Sequence, residues 1–301
     1  MKVSGHTLGT PNMFLSNALR LFRAAGLDGA EIIWQNDYPS GISESASDQS
    51  VKEVRTLATT LGLEICCLTP YMTNINSLDD QERDRDIERF KRCILTAEQL
   101  GSQCIRVYAG SYMPGEENIR EQKWVRLVES LQFLGEIGAR TGVTLCVENH
   151  FNTMTVSALE TASLMKEVDS PGVGILYDQA NLVFTYNEDF PEAIELQKEW
   201  IKHVHVKDLI FTKKEKVFKA GSVARVDDDE NRAVQSRVVG TGVLDWPNIL
   251  ADLKNRCEYS GYLSVEYEYR WHPNDLPKPE DGFKQSNDYL ETILVGLQKE
   301  K

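Results

Sequence analysis

The stretch TGVTLCVENH, residues 141–150, indicates the fold class, because it combines a helix end, a buried strand and a polar strand end. Gly142 is typical of the left-handed residue that ends a helix. The apolar residues that follow occupy alternate positions, which is the pattern of a strand with one face packed against other elements. This alternation turns Glu148 to the opposite face, so a carboxylate stands at the carboxyl end of the strand.

The same unit recurs along the chain, with short β-branched runs separated by longer amphipathic segments. We predict eight strands, over Lys2–Thr7, Gly29–Trp34, Leu63–Leu68, Cys104–Ala109, Thr144–Asn149, Gly174–Asp178, His203–Lys207 and Tyr262–Glu268. We predict eight helices, over Phe14–Ala25, Asp48–Leu61, Asp80–Leu100, Ile119–Thr141, Ser157–Val168, Pro191–Ile201, Trp246–Cys257 and Asn287–Lys299. Five glycines just before strands are expected to end helices in the left-handed conformation. They are Gly26, Gly62, Gly101, Gly142 and Gly261.

Strands that alternate with helices must lie parallel, because no hairpin can join them. Eight such units in 301 residues predict an α/β protein, a (β/α)8 TIM barrel forming a single domain over residues 1–301. An open doubly wound sheet is the alternative, but GHTLGT (5–10) follows the first strand in place of a dinucleotide-binding glycine turn. The longest connection is the loop Leu209–Leu244 between the seventh and eighth strands. Its basic KKEKVFK and acidic DDDE patches are consistent with a lid, a partner surface or a solvated excursion.

Composition and charge limit the function classes. Hydrophobic residues make up 41% and charged residues 26% of the chain, as in ordinary globular proteins. The net charge of −13 repels phosphate backbones and anionic lipid surfaces, so we expect neither nucleic acid nor a membrane as a partner. The sequence contains no apolar run that fits a membrane helix or a signal peptide, which predicts a cytoplasmic protein.

The six cysteines, at positions 66, 67, 93, 104, 146 and 257, have no CxxC spacing and are predicted to be reduced core thiols. Cys66 and Cys67 are neighbours in an apolar run. We expect them to point to opposite faces of a strand.

Side-chain alternation predicts that four successive strands direct ionisable groups into the barrel near their carboxyl ends. These groups are Glu148, Asp178, His205 and Glu266, with Glu268 as a second candidate on the last strand. Charged groups inside a barrel are costly unless they are paired or bound to a metal, so this convergence predicts one divalent cation. Three carboxylates and one imidazole favour Mn²⁺, with Mg²⁺ or Co²⁺ as alternatives, over a structural zinc.

Five motifs occur in the order and spacing of a known family: VENH (147–150), GILYDQAN (174–181), HVHVKD (203–208), GTGVLDW (240–246) and GYLSVEYE (261–268). Over nearly its whole length the chain resembles the xylose isomerase-like TIM barrels, which include ketose 3-epimerases, sugar isomerases, inosose dehydratases and endonuclease IV. The resemblance implies that the metal ligands are Glu148, Asp178, His205 and Glu266. In members that epimerise or isomerise, it also implies that Glu148 and Glu266 form the acid–base pair.

The implied chemistry is removal of a proton next to the carbonyl of a sugar or polyol, through a metal-stabilised enediolate. We therefore predict a metal-dependent sugar isomerase or epimerase. One alternative is a lyase of the same fold. It would be either an inosose-type dehydratase or a C-glycoside deglycosidase catalytic subunit that acts on 3-oxo-glycosides with a small β partner. Another alternative is a metal-free binding barrel. Self-association into a homo-oligomer is common in the family.

One position departs from the family pattern. Many members have Asp-x-x-His after the sixth strand, whereas this chain has Asn181 at the fourth position. Asn181 can bind substrate by hydrogen bonds but cannot titrate near neutrality. The departure argues against a mechanism with a second imidazole there and against a multi-zinc endonuclease site.

Further residues are candidates for binding substrate. His150 has the inward parity of Glu148 and is a candidate base or substrate ligand, with an ordinary loop histidine as the alternative. Arg106 and Lys207 point inward and can hold substrate oxygens or balance the carboxylates. The aromatic candidates for stacking on a sugar ring are Trp34, Tyr71, Tyr108 and Trp271.

Two remaining expectations concern His203 and phosphate. His203 is expected to lie deeper than His205, in the core or in support of the ligands. A phosphorylated substrate would need donors such as Arg237, Arg270 and the Gly240–Gly242 turn, and we expect a substrate without phosphate.

Overall fold

The computed structural model describes residues 1–212 and 232–299, in which eight parallel strands close into a barrel. The ten described strands are β1 (Lys2–His6), β2 (Gly29–Trp34), β3 (Glu64–Pro70), β4 (Cys104–Val107), β5 (Thr144–Glu148), β6 (Val173–Tyr177), β7 (Ile201–Val206), β8 (Asp208–Phe211), β9 (Val234–Arg237) and β10 (Tyr262–Val265). Strands β1 to β7 pair in sequence, and β10 closes the barrel by pairing with both β1 and β7. The predicted (β/α)8 barrel is confirmed.

The described residues contain nine α-helices, one more than predicted. They are α1 (Leu15–Ala24), α2 (Asp48–Leu61), α3 (Asp80–Leu100), α4 (Arg120–Thr141), α5 (Ala158–Val168), α6 (Gln179–Tyr186), α7 (Phe190–Gln197), α8 (Trp246–Cys257) and α9 (Pro279–Lys299). None of those within 1–212 and 232–299 has the length and apolarity needed to cross a bilayer.

The sequence prediction missed α6 and placed the start of α9 too late. Helix α6 has only eight residues and follows β6 almost directly, so its pattern of apolar residues cannot be separated from that of the strand. The side chain of Asp178 caps it by accepting the backbone N–H of Asn181 at 2.9 Å. Helix α9 begins at Pro279, where proline fits the first turn but hides the helical pattern.

Helix ends follow the predicted glycines at four of five positions. Gly26, Gly62, Gly101 and Gly142 have φ between 70° and 86°. The expectation for Gly261 was wrong, because α8 ends at Cys257 and the next residue, Glu258, takes the left-handed conformation with φ 51°. A side chain at Gly261 would instead collide with the ring of Tyr259.

Two apolar layers divide the strand side chains as alternation predicts. Residues such as Leu145 and Val147 pack with the helices in the main core. A smaller cluster inside the barrel consists of Cys66, Cys67, Cys104, Cys146 and Leu176. All six cysteines of the chain are free.

The prediction that Cys66 and Cys67 face opposite sides was wrong, because both belong to this interior cluster. The register between β2 and β3 shifts here, with Ala30 opposite Ile65 and Glu31 opposite Cys67. Cys66 is thus an extra residue in β3, and the normal alternation is interrupted.

The loop between the last two barrel strands, β7 and β10, contains the strands β8 and β9. These two strands pair antiparallel and form the arms of a hairpin. The carboxylate of Asp208 fixes its base by accepting backbone N–H groups. The donors are Leu209, Gly240, Gly242 and Leu244. The basic and acidic patches of this loop, at 213–219 and 227–230, lie outside the described residues.

Candidate metal centre and active site

Four strands bring carboxylates and an imidazole together at the carboxyl end of the barrel. Glu148 ends β5, Asp178 follows β6, His205 lies near the end of β7 and Glu266 follows β10. One potential ligand atom from each lies within 4.8 Å of the other three. Glu148, Asp178 and His205 are at most 1% exposed, and the side chain of Glu266 is 12% exposed.

The imidazole Nδ1 of His205 faces the three carboxylates. It lies 3.4 Å from Glu148 Oε1, 3.5 Å from Glu266 Oε2 and 3.8 Å from Asp178 Oδ2. This buried nitrogen makes no hydrogen bond of acceptable geometry with any described residue. An orphaned imidazole nitrogen beside three carboxylates is a donor set for a divalent cation, so these residues fit a metal site.

Lys207 adds a positive charge at the same place. Its Nζ lies 2.7 Å from Glu266 Oε2, 2.9 Å from Asp178 Oδ2 and 3.6 Å from Glu268 Oε1. Burial alone would lower the pKa of Lys207, but the carboxylates of Asp178 and Glu266 raise it well above its ordinary value. Burial would raise the pKa of Glu266, but Lys207 and His205 hold it well below its usual range.

Arg106 on β4 borders the cluster and is stacked between two aromatic rings. Its guanidinium carbon lies 3.7 Å from the centre of the Tyr108 ring and 4.6 Å from that of Tyr71. Arg106 is 2% exposed, and its Nη1 is 3.6 Å from Glu148 Oε2. Within the described part of the chain, Nε and Nη1 have no hydrogen-bond partner. Two fixed donors therefore remain available for oxygen atoms of a ligand.

Asn181 and His150 lie beside Glu148. Asn181 Nδ2 donates to the carbonyl oxygen of Asn149 at 2.8 Å and lies 3.4 Å from Glu148 Oε1. His150 is partly buried, with Nδ1 2.7 Å from the carbonyl oxygen of Phe151, and burial lowers its pKa. The centre of the His150 ring is 4.7 Å from that of the Tyr108 ring. The predicted substrate-binding residues Asn181, His150 and Tyr108 are therefore grouped on one side of the cluster.

Glu268 lies beyond the last barrel strand. It begins a 3₁₀ helix, Glu268–Arg270, where its carboxylate accepts the hydroxyl of Ser236 at 2.5 Å. The strand predicted to reach Glu268 ends at Val265, so Glu268 faces the loop hairpin and the cluster at once.

The remaining predicted residues occupy different places. Arg270 stacks on Trp271, with its guanidinium carbon 4.4 Å from the ring and 5.6 Å from that of Tyr71. Arg237 donates to the carbonyl oxygen of Ser236 within its own hairpin. Trp34, in contrast, is 1% exposed and packs in the main apolar core, so the structure does not group it with the cluster.

Glu31, which lies in β2 and is completely buried, was not among the residues predicted from the sequence. Its carboxylate oxygens are 2.5 Å from Thr69 Oγ1, 2.9 Å from His203 Nε2, and 3.1 and 3.2 Å from His205 Nε2. The pKa of Glu31 would be raised by burial, but the imidazoles of His205 and His6 hold it well below its ordinary value. The only signal in the sequence is a single charge within the apolar run GAEIIW (29–34).

Comparison with known proteins identifies the family of this barrel. The family model described as xylose isomerase-like TIM barrel matches residues 19–293. The chain is 26% identical over 265 residues to an inosose dehydratase of Clostridium perfringens, covering 87% of this chain and 84% of that enzyme. It is 30% identical over 151 residues to an inosose dehydratase of Geobacillus thermodenitrificans, and this match spans about half of each protein, 49% of this chain and 48% of that one.

A solved structure described as IolI protein with a binding zinc atom has the same fold, with a TM-score of 0.77, 18% identity and 99% coverage of both chains. The family match agrees with the closed eight-stranded barrel. This chain therefore belongs to the family of xylose isomerase-like TIM barrels.

Proposed function

We propose that this chain is a divalent-metal-dependent enzyme that removes a proton next to the carbonyl of a polyhydroxy ketone. The observation that carries the proposal is the buried cluster of Glu148, Asp178, His205 and Glu266. Its oxygen-rich donor set favours Mn²⁺, and Mg²⁺ and Co²⁺ are alternatives. Zn²⁺ belongs among the ions tested, because the similar IolI structure is described with a zinc atom.

The two glutamates supply the proton transfer. A divalent cation held by the cluster would polarise the substrate carbonyl and stabilise the charge of the enediolate. Glu148 and Glu266 approach from strands β5 and β10, which are separated by β6 and β7 in the barrel. One glutamate removes the proton, and the other acts from a second side of the substrate. The pKa of each lies below its ordinary value, Glu148 mainly through His150 and His205 against the effect of burial, so both are ionised near neutral pH.

Arg106 holds a substrate oxygen in this proposal. Its two donors without partners among the described residues lie beside Glu148, where a hydroxyl or the enediolate oxygen would be placed. Arg106→Lys keeps the charge but loses the planar donors, so we expect kcat/KM to fall about 100-fold. Arg126→Lys is the matched control, because Arg126 lies away from the cluster on α4, is 30% exposed and pairs with the exposed Asp80. Equal activity of both variants would contradict this role.

Charge favours a substrate without phosphate. Arg106, Lys207 and a divalent cation do not outweigh five carboxylates, namely Glu31, Glu148, Asp178, Glu266 and Glu268. A phosphate group would add negative charge to a site that is already acidic. The proposed substrate class is therefore a neutral sugar or polyol ketone.

Two net reactions begin with this proton removal. Loss of water is supported by the inosose dehydratases, one of which matches 87% of this chain. Epimerisation or isomerisation is supported by the paired carboxylates of Glu148 and Glu266, which can remove and return a proton from two sides. The lyase alternative with a small β partner predicts co-purification of a second subunit, which deletion of the loop 209–244 should abolish.

The deciding experiment combines metal analysis with solvent exchange. Wild type should bind about one Mn²⁺ or similar ion, whereas Glu148→Gln and His205→Ala should lose it and Glu129→Gln, on the surface of α4, should keep it. In D₂O, wild type is incubated with ketoses, inososes and 3-oxo-glycosides. Carbon-bound deuterium in recovered ketone or epimer supports epimerisation, and an unsaturated or dehydrated product supports dehydration. Wild type that stays metal-free when all four ions are supplied would contradict the proposal.

A further inference from the structure

We propose that Glu31 is a positioning residue, which holds His205 in the orientation and tautomer that the metal site requires. The inference rests on the proposed metal-dependent function. Within residues 1–212 and 232–299, Glu31 forms no hydrogen bond or ion pair with the three carboxylates, and its role is to act through His205.

The two nitrogens of His205 have different surroundings. Nε2 lies 3.1 and 3.2 Å from the two carboxylate oxygens of Glu31, within hydrogen-bond distance of both. Nδ1 lies on the other side of the ring and faces Glu148, Asp178 and Glu266. A proton donated from Nε2 to Glu31 therefore leaves the Nδ1 lone pair directed at the cation position.

This arrangement matters because a free imidazole can present either nitrogen. Metal-binding histidines commonly donate the second ring N–H to a carboxylate, which fixes the ring and makes the ligand nitrogen more basic. Glu31 offers that carboxylate from β2, while His205 comes from β7. The contact thus joins two strands that are not neighbours in the barrel.

The orientation of Glu31 is itself determined by its other donors. His6 Nδ1 accepts the backbone N–H of Leu8 at 2.9 Å, so a neutral His6 carries its proton on Nε2 and donates to Thr69 Oγ1 at 3.0 Å. The Thr69 hydroxyl then donates to Glu31 Oε1. His203 Nε2, at 2.9 Å, supplies a donor to Oε2. Glu31 is held as a proton acceptor by groups from β1, β3 and β7.

Glu31→Gln tests the charge and acceptor at nearly constant size. We expect the dissociation constant for Zn²⁺ or Mn²⁺ to rise about 10- to 100-fold, the effect typical of losing such an outer carboxylate. Glu31→Asp restores the carboxylate at a shorter reach and should recover part of the affinity. Ser264→Ala is the matched control, because Ser264 is buried opposite His205 in the β7–β10 pairing and its hydroxyl has no partner among the described residues. Its affinity should stay within about threefold of wild type, since it holds no ligand.

A second measurement addresses the tautomer directly in wild type. Nitrogen NMR of Zn²⁺-loaded protein labelled at histidine should show His205 protonated at Nε2 and metal-bound at Nδ1, with His205→Gln providing the assignment. A metal-bound Nε2 would overturn the inference, even if Glu31→Gln fails to fold. Unchanged metal affinity in folded Glu31→Gln would overturn it as well. Wild type that binds no metal would instead contradict the proposed function and, with it, this role.

Discussion

Lys207 Nζ lies 2.7 Å from Glu266 Oε2, so a fixed ammonium group occupies the edge of the candidate metal centre. The same nitrogen contacts Asp178 Oδ2 at 2.9 Å, and both carboxylates belong to the cluster that would bind the cation. Lys207 and the proposed cation would thus compete for the same oxygens.

Lys207→Met should consequently strengthen Mn²⁺ binding, by about tenfold if one pair is worth about 1.4 kcal/mol. Without metal, the variant should be less stable by about 3–5 kcal/mol, because two buried carboxylates lose a partner. Calorimetric titration and denaturant unfolding measure the two effects. Lys202→Met serves as the control, since Lys202 is exposed on the same strand. Weaker Mn²⁺ binding in Lys207→Met would show that the ammonium orients the ligands more than it competes.

Asp178 has two separable roles that a pair of variants can distinguish. Its Oδ1 accepts the Asn181 N–H and caps α6, while Oδ2 faces the cluster. Asp178→Asn keeps an acceptor for the cap but removes the charged ligand, whereas Asp178→Ala removes both. We expect both variants to lose metal binding, and the alanine variant to be less stable by about a further 1 kcal/mol. Equal stability of the two metal-free variants would contradict the capping role.

The protonation of His6 should make the free energy of unfolding depend on pH. Burial lowers the pKa of His6 from an ordinary 6.5 to about 4. Between these values the unfolded chain binds a proton that the folded chain does not, so the free energy of unfolding decreases as the pH falls. The contribution is at most about 3.5 kcal/mol, since one pKa unit corresponds to about 1.4 kcal/mol.

His6→Asn keeps an acceptor for the Leu8 N–H but does not titrate. The stability difference between wild type and this variant should therefore shift against wild type as the pH falls from 6.5 to 4. Urea unfolding at several pH values, with a chelator to remove metal, measures it. Parallel stability curves for the two proteins would show that His6 is not held neutral.

Alanine substitutions at two glycines should change the stability of the protein in opposite directions. A Cβ at Gly242 would lie 2.1 Å from Asp208 Oδ1 and 2.4 Å from the carbonyl oxygen of Leu209, so Gly242→Ala should destabilise by about 1–3 kcal/mol. A Cβ at Gly296 in α9 meets no described atom within 4 Å, so Gly296→Ala should stabilise by about 0.5–1 kcal/mol. Thermal unfolding compares them. An unchanged free energy of unfolding in Gly242→Ala would mean that the backbone at the base of the hairpin can move more easily than its hydrogen bonds suggest.

The sequence predicts most of this architecture because helices and strands differ in apolar period. Asp48–Leu61, Asp80–Leu100 and Trp246–Cys257 have the bounds predicted from that period. Alternation also places Glu148 and His205 inside the barrel, since their strands have one clearly apolar face. Helix α6 could not be found in this way, because its eight residues are apolar on most sides and its capping residue belongs to the strand end before it.

Glu31 shows why part of the site escapes prediction. Every residue of β2 is buried, so this strand has no polar face from which the direction of its side chains could be predicted. The shift in register beside Glu31 further breaks the alternation on which facing depends. The contacts of Glu31 join residues 69, 203 and 205, and separations of this kind follow from barrel closure. The sequence around each of these residues therefore does not predict the contacts with Glu31.

The order of the ligands along the chain also has a consequence for biosynthesis. Glu148, Asp178 and His205 emerge first, and Glu266 follows β10, the strand that closes the barrel onto β1. A nascent chain therefore gains its last ligand at the same stage as its last strand. The proposed cation site is completed only when the barrel can close, so the proposed metal would bind after β10 has been made.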